Sequence, residues 1–193
     1  DQSTGYLYVG GWRGYKTINL SNHSISNCSY STQMNRAFGS AIANGKIVYS
    51  YGNTLYTHNL STSGSRCPST SQSARISYRS GSYTGLQFNP NNNQELWTLS
   101  WSLSRMQKLT LNSNYSGISS TSSFGSRSRS NSSATRTYFY YPWGLGWDQA
   151  NNRLLASDLN KGTVQVFDTS GTWIKNFGGA PTTRMQAAQA AIK

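Results

Sequence analysis

The sequence predicts an all-β fold built from about four similar four-stranded units, on three observations. Ser, Asn, Thr and Gly are abundant and 13% of the residues are aromatic, a composition typical of short strands joined by turns. A strand–turn–strand pattern recurs four times along the 193 residues. Further short apolar segments flank these copies and supply the remaining strands of each unit.

The recurring element is a pair of apolar strands separated by a polar or glycine-containing turn. Its copies are GYLYVGGWRGYKTINLSN (5–22), GKIVYSYGNTLYTHNLST (45–62), QELWTLSWSLSRMQKLTLNS (94–113) and NRLLASDLNKGTVQVFDTSG (152–171). We predict that each copy forms two antiparallel strands with alternating faces.

Candidate innermost strands precede the last three copies, as FGSAIANG (38–45), YTGLQFNPN (83–91) and PWGLGWDQA (142–150). Candidate outer strands follow all four copies, as SISNCSYS (24–31), ARISYRS (74–80), GISSTSS (117–123) and TWIKNFG (172–178). Units of this length with four strands are the signature of a β-propeller, whose blades bury their faces against one another. The first unit lacks an opening strand.

The predicted boundaries follow from these units. A propeller-like domain at 1–179 contains units at about 5–32, 37–80, 83–123 and 138–178, with a mobile basic Ser/Arg loop at 119–136. The alanine-rich segment 180–193 is expected to be a helical tail or linker. The blades either close into a ring within this chain or need another chain, or the rest of a longer protein, to complete a larger ring.

The fourth unit resembles the NHL family of propeller repeats. The shared positions are Pro142, Gly144, Leu154, Leu155, Asp158, Val164, Val166, Phe167, Gly171 and Phe177-Gly178. The resemblance covers about 40 residues, and it extends to the other units only because they repeat the same pattern. In the second and third units, Tyr51 and Ser100 stand at roughly the position of Asp158. It implies a propeller fold and brings two NHL activities into consideration, RNA binding on a basic face and lyase chemistry.

The charge balance predicts a polyanionic partner. Seventeen Lys and Arg face five Asp and Glu, a net charge of +12, which favours acidic glycans, nucleic acid, lipopolysaccharide or anionic lipid. No apolar run reaches the ~18–20 residues that a membrane helix needs. Because the sequence begins at Asp1 rather than Met, we expect it to be processed or cut from a longer chain.

The two cysteines, Cys28 and Cys67, occupy matching outer positions of the first two units. We predict that they form a disulfide in an oxidising compartment, which places the protein in an extracellular or periplasmic location; two buried thiols are the alternative.

Catalytic groups are scarce. His23 and His58 are the only histidines, and no metal-site spacing or phosphate-binding motif is present, so we expect no cofactor and no metal. Asp148, Asp158 and Asp168 recur at ten-residue intervals and are expected to accept hydrogen bonds from turn N–H groups rather than to act as paired catalytic carboxylates.

Aromatic and basic residues suited to ligand binding are more numerous than catalytic groups. Loops that gather at one mouth of a propeller would hold the candidate ligand-binding residues Trp12, Arg13, Tyr51, Trp101, Arg105, Tyr141, Trp143 and Lys161. A basic arm would add Arg127, Arg129 and Arg136. The sequence thus predicts a non-enzymatic extracellular binding or scaffold module for an acidic glycan, a surface polymer or a protein partner. The alternatives are an RNA-binding propeller and, third, a propeller enzyme such as a lyase.

Overall fold

The computed structural model describes residues 5–11, 14–28, 37–77, 81–128 and 138–178. Within these ranges all regular secondary structure is β-strand and no helix occurs. The strands form four successive sheets, arranged as consecutive blades of a β-propeller, and one short two-stranded sheet. The predicted fold class is therefore confirmed. The helical tail expected at 180–193 lies outside the described residues.

The blades follow one another in chain order. Blade 1 contains β1 (Tyr6–Gly11), β2 (Gly14–Asn19) and β3 (Ile25–Asn27). Blade 2 contains β4 (Gly39–Ala43), β5 (Lys46–Tyr51), β6 (Thr54–Asn59) and β7 (Ala74–Ser77). Blade 3 contains β8 (Tyr83–Asn89), β9 (Asn92–Ser100), β10 (Arg105–Leu111) and β11 (Ile118–Phe124). The segment between blades 3 and 4 contains β12 (Ser126–Arg127) and β13 (Tyr138–Phe139). Blade 4 contains β14 (Pro142–Asp148), β15 (Arg153–Asp158), β16 (Thr163–Phe167) and β17 (Trp173–Gly178).

Each blade is an antiparallel meander in which sequential strands are neighbours. The strands β4, β8 and β14 are innermost. In the described residues blade 1 has three strands, and β1 and β2 carry the repeated strand–turn–strand element, so they correspond to the second and third strands of the other blades. This agrees with the expectation that the first unit lacks an opening strand.

Regular structure extends into the segment predicted as a mobile basic loop. The strand β11 reaches Phe124, and β12 pairs in parallel with β13 through Ser126–Tyr138 and Arg127–Phe139. The remainder of that segment, at 129–137, lies outside the described residues.

Three apolar clusters join consecutive blades in the described part of the chain. The cluster between blades 1 and 2 is centred on Tyr15, Tyr49 and Tyr56. The cluster between blades 2 and 3 includes Val48, Leu55, Tyr83, Phe88, Leu96, Leu109 and Tyr115. The cluster between blades 3 and 4 includes Trp97, Leu99, Met106, Phe139, Leu154 and Phe167.

Alternation along the strands sends successive side chains to opposite neighbours. In β9, Leu96 packs in the cluster shared with blade 2, whereas Trp97 and Leu99 pack in the cluster shared with blade 4. In β5, Tyr49 packs toward blade 1 and Val48 toward blade 3. Each blade therefore has a leading face, directed at the preceding blade, and a trailing face, directed at the following blade.

Glycines at one repeated position allow the innermost strands to approach closely. A Cβ at Gly39 would collide with the carbonyl oxygen of Thr84 on β8. A Cβ at Gly85 would lie 2.8 Å from the Leu145 nitrogen and 3.0 Å from the Trp143 oxygen on β14. Backbone therefore contacts backbone at the centre of the molecule, which only a residue without a side chain permits.

Asparagines connect the turns that follow the innermost strands. The Asn93 side-chain amide donates to Asn44 Oδ1 at 2.6 Å, and the Asn91 amide donates to Asn152 Oδ1 at 3.2 Å. Asn44 and Asn152 have φ values of 49° and 51°, a left-handed conformation that asparagine tolerates better than most residues. Amide hydrogen bonds thus link blades 2, 3 and 4 at this end of the molecule.

The predicted disulfide is present. Cys28 and Cys67 are bonded with a Cα–Cα distance of 5.3 Å, and the bond joins the outer parts of blades 1 and 2. It closes a sequence separation of 39 residues across an inter-blade interface.

Candidate binding surface

One end of the propeller is formed by the turns between second and third strands and by the segments that enter the innermost strands. Backbone hydrogen bonds connect these pieces: Tyr83 N donates to Gly52 O, Trp101 N to Ser82 O, and Leu159 N to Tyr141 O, at 3.0–3.3 Å. We call this end the loop face. It is the mouth at which the candidate residues were predicted to meet.

Four aromatic side chains form a continuous row on the loop face. Phe38 meets Trp143 edge to face with ring centroids 6.4 Å apart. Trp143 lies parallel to Tyr141, with an interplanar angle of 6° and centroids 6.2 Å apart. Tyr141 contacts Trp101 at 5.3 Å. We call Phe38, Trp143, Tyr141 and Trp101 the aromatic row.

The row is accessible and crosses three blades. Phe38 is 47% exposed and Trp143 is 42% exposed, whereas Tyr141 and Trp101 are half-buried. Phe38 enters blade 2, Trp101 follows β9 of blade 3, and Trp143 begins blade 4. The row therefore has two exposed members at one end and two half-buried members at the other.

Asp158 supports the row from beneath. Its carboxylate is buried and accepts hydrogen bonds from the backbone nitrogens of Tyr140 at 2.6 Å, Tyr141 at 3.1 Å and Lys161 at 3.3 Å. A carboxylate that accepts several N–H groups fixes the backbone that carries them. Asp158 therefore has the structural role expected from its place at a strand end.

The other two aspartates also accept turn N–H groups. Asp148 accepts from Asn151, and the side-chain and backbone hydrogen bonds of Asn151 lower the pKa of its carboxyl. Asp168 accepts from the Ser170 and Thr172 nitrogens. Partial burial acts to raise the pKa of Asp168, but the Ser170 hydroxyl and these backbone groups outweigh it, so the pKa is lowered.

Lys161 lies under the loop face rather than on it. Its ammonium donates to the Tyr138 carbonyl oxygen at 3.1 Å and lies 6.0 Å from the Tyr138 ring centroid. Burial lowers the pKa of Lys161, while the neighbouring Asp158 carboxylate acts in the opposite direction. This lysine holds the segment before β14 in place.

The remaining predicted site residues are distributed more widely. Tyr51 packs against the cluster between blades 1 and 2. Arg105 is half-buried at the start of β10, and its Nε is buried with no hydrogen-bond partner among the described residues. Arg127 is exposed and lies 5.6 Å from the Tyr140 ring centroid. Trp12, Arg13, Arg129 and Arg136 lie outside the described residues.

Phe38 was not among the binding residues predicted from the sequence. The signal was present, because Phe38-Gly39 and Trp143-Gly144 occupy the same position of the repeat, an aromatic residue directly before the glycine of the innermost strand. Two exposed apolar residues near the row, Leu159 and Phe177, were also missed. Together with Trp143 they line a cavity of about 420 Å³ beside the row.

A second cavity, of about 600 Å³, opens among the innermost strands at the opposite end. Carboxamides dominate its polar lining, including Asn44, Gln87, Asn93 and Gln149. Its lining residues carry no charge, so the cavity offers hydrogen bonds rather than an attraction for anions.

Two features of the described part of the chain bear on catalysis, its candidate metal-ligating side chains and its buried histidine. No group of three His, Cys, Asp or Glu among the described residues could hold a metal ion. His58 is buried, with Nδ1 at 2.8 Å from the Ser69 carbonyl oxygen and Nε2 at 3.1 Å from the Tyr49 hydroxyl. Burial lowers the pKa of His58, the Ser69 carbonyl acting weakly against it. This histidine packs within blade 2, away from the aromatic row.

Comparisons with solved structures show the β-propeller fold. The chain is similar to hydrazine synthase of Kuenenia stuttgartiensis, with a TM-score of 0.57, 9% identity, and coverage of 89% of this chain and 45% of that one. It is similar to the β-propeller domain of Cps50 (Swd1) from Myceliophteria thermophila, with a TM-score of 0.60, 10% identity, and coverage of 93% and 54%. It is also similar to a chain of the mitotic checkpoint complex, with a TM-score of 0.55, 11% identity, and coverage of 91% and 48%.

The fold and the loop face thus define a β-propeller protein with an exposed aromatic surface. No protein-family model matches the chain, and no curated protein sequence matches it significantly. The chain spans about half the length of the solved propellers it matches. Among the described residues there is no helix long and apolar enough to cross a membrane.

Proposed function

We propose that this protein is a non-catalytic, extracellular binding module whose loop face recognises an acidic polysaccharide. The observation that carries the proposal is the aromatic row. Aromatic side chains in open succession suit the apolar faces of successive sugar rings, and the row carries Phe38 and Trp143 exposed at its surface, with Tyr141 stacked on Trp143.

The charge of the chain supports an acidic ligand over a neutral one. With 17 cationic and 5 anionic side chains, the protein attracts polyanions over long range. Arg127 is exposed and lies 5.6 Å from the ring centroid of Tyr140, the residue that precedes Tyr141 of the row. The disulfide is consistent with an oxidising, extracellular compartment, which also favours a surface polysaccharide over RNA.

A protein partner is the second candidate. Leu159 and Phe177 are exposed beside the row, and apolar residues next to aromatic ones are typical of the centre of a protein interface. One structure similar to this chain comes from a multiprotein assembly, the mitotic checkpoint complex. The relation to NHL repeats, which would favour an RNA ligand, rests on the sequence resemblance of the fourth unit.

The test compares binding of sulfated polysaccharide, polyuronate, neutral polysaccharide and single-stranded RNA at two salt concentrations. We expect one class of acidic polysaccharide to retain binding at the higher salt, because stacking on the row is not screened by ions. Trp143→Ala should weaken this binding about 30-fold, equivalent to a loss of about 2 kcal/mol.

The matched control is Leu20→Ala, a similarly exposed residue of blade 1 that lies outside the row. It should leave the affinity unchanged. If every polyanion binds equally and all binding disappears with salt, recognition is nonspecific and the polysaccharide proposal is wrong. Salt-resistant preference for RNA would select the nucleic-acid alternative instead.

A further inference from the structure

The leading face of blade 1 is an apolar surface that no other described strand covers. Register places Leu7, Ile18 and Ile25 in one row across β1, β2 and β3, and Val9 lies beside them. These side chains lie on the face opposite Tyr15, which packs against blade 2. Leu7 is 48%, Val9 45% and Ile25 62% exposed.

The trailing face of blade 4 is the corresponding surface at the other end of the array. Leu154 and Ala156 pack toward blade 3, so Leu155 lies on the trailing face, where its register partner is Val166. Val164 and Phe177 are register partners on the same face. Phe177 is 50% exposed, Leu155 and Val164 are half-buried, and Val166 is buried.

Interior blades bury these same two kinds of face. On the leading face of blade 2, Ile47 and Tyr49 are fully buried by blade 1, and on the trailing face of blade 3, Trp97 and Leu99 are fully buried by blade 4. Burying apolar area stabilises by roughly 25 cal/mol per Å². Covering the exposed apolar side chains of the two end faces would therefore stabilise an assembly that contains both.

We propose that the two end faces are covered by a second copy of this chain, in a two-fold symmetric dimer that forms an eight-bladed propeller. Each interior interface joins a trailing face to a leading face. A two-fold axis places the trailing face of blade 4 against the leading face of blade 1 of the other copy at both junctions simultaneously, which closes the assembly.

Two observations select a second copy as the occupant. The exposed faces are the two complementary halves of one propeller interface, so the chain itself supplies both. The solved structures that it matches are about twice its length, so two copies supply about the number of blades that such a propeller contains. Lys16 and Lys175 are exposed on the two faces and bring like charge to each junction; their long stems allow the amines to reach solvent.

Light scattering coupled to size exclusion tests the proposal. The chain has a mass of 21.3 kDa, and we expect twice that mass for the native protein. Leu7→Glu on one face and Phe177→Glu on the other should each give a monomer, because both junctions contain both faces. Phe38→Glu changes an equally exposed residue of the loop face and should remain dimeric. Circular dichroism verifies that the variants retain their strands.

A native protein that is monomeric at all concentrations would overturn the proposal. So would a mass that grows beyond two chains, since closure by a two-fold axis stops at two, or a dimer that survives both glutamate substitutions. Salt separates this inference from the proposed function. Added salt should strengthen the dimer by screening the lysines, whereas it weakens nonspecific polyanion binding.

Discussion

Phe38 and Trp143 meet edge to face, with ring centroids 6.4 Å apart, although Phe38 belongs to blade 2 and Trp143 to blade 4. Two glycines allow this contact. Gly39 lets β4 reach the Thr84 carbonyl of β8, and Gly85 lets β8 reach the backbone of β14. Residues at the entrances of alternate blades are thereby brought within contact distance.

The close approach at Gly85 can be tested directly. Gly85→Ala should destabilise the protein by about 2–3 kcal/mol, because the new methyl group meets backbone atoms that cannot rotate away. Gly146→Ala is the matched control on β14, since a Cβ there has no neighbour within 4 Å. It should be neutral or slightly stabilising. Urea denaturation measures the free energy of unfolding of both variants. Equal stability of the two would contradict the close approach of Gly85 to β14.

Asp158 should be the aspartate most important for stability. Asp158→Asn removes a charged acceptor that serves the Tyr140, Tyr141 and Lys161 nitrogens, and we expect a loss of about 2 kcal/mol. The same substitution at Asp148, the half-buried last residue of β14, should cost less, because its carboxylate accepts from a single turn residue, Asn151. Denaturant midpoints of the two variants test the difference. A larger effect at Asp148 would show that Asp158 does not hold this segment.

His58 should make stability decrease as the pH falls below the unfolded-state pKa of about 6.5. The Ser69 carbonyl can only accept, so Nδ1 carries the proton and Nε2 accepts from Tyr49 in the neutral ring. Because burial lowers the pKa of His58 in the folded state, the unfolded chain takes up the proton first as the pH falls. The stability is therefore complete above the unfolded pKa of about 6.5 and decreases as the pH falls below it.

Melting temperatures at pH 7.5 and 5.5 measure this effect. The decrease should be smaller in His58→Gln, which cannot take up a proton, than in the native protein. His23→Gln, at an exposed turn, is the control and should retain the native decrease. An unchanged pH dependence in His58→Gln would assign the effect to other groups.

Reduction of the Cys28–Cys67 disulfide should lower the free energy of unfolding by about 3–4 kcal/mol, because the bond closes a long loop in the unfolded chain. The double variant Cys28→Ala/Cys67→Ala should have the same denaturant midpoint as the reduced native protein. A native protein insensitive to reductant, or two thiols titrated in denaturant without reductant, would contradict the bond.

The sequence by itself determined the elements and their order. Strand alternation and turn residues predicted four units, the first of them without an opening strand. They also predicted that the two cysteines occupy matching positions, because all of these features depend on local periodicity and spacing. The strand-end aspartates were also predictable, since a carboxylate accepts the N–H groups of the turn beside it. All of these involve residues close in sequence or equivalent within the repeat.

Tertiary structure alone decided which side chains meet. Trp101, Tyr141 and Trp143 were predicted together, but Phe38 joins them through the approach of three innermost strands, a distance no local pattern encodes. Lys161 looks like a surface cation in the sequence, yet folding turns its amine inward to the Tyr138 carbonyl. Alternation predicts that each strand has two faces. Only the packing of one blade against the next shows that the faces carrying Leu7 and Phe177 leave these side chains exposed.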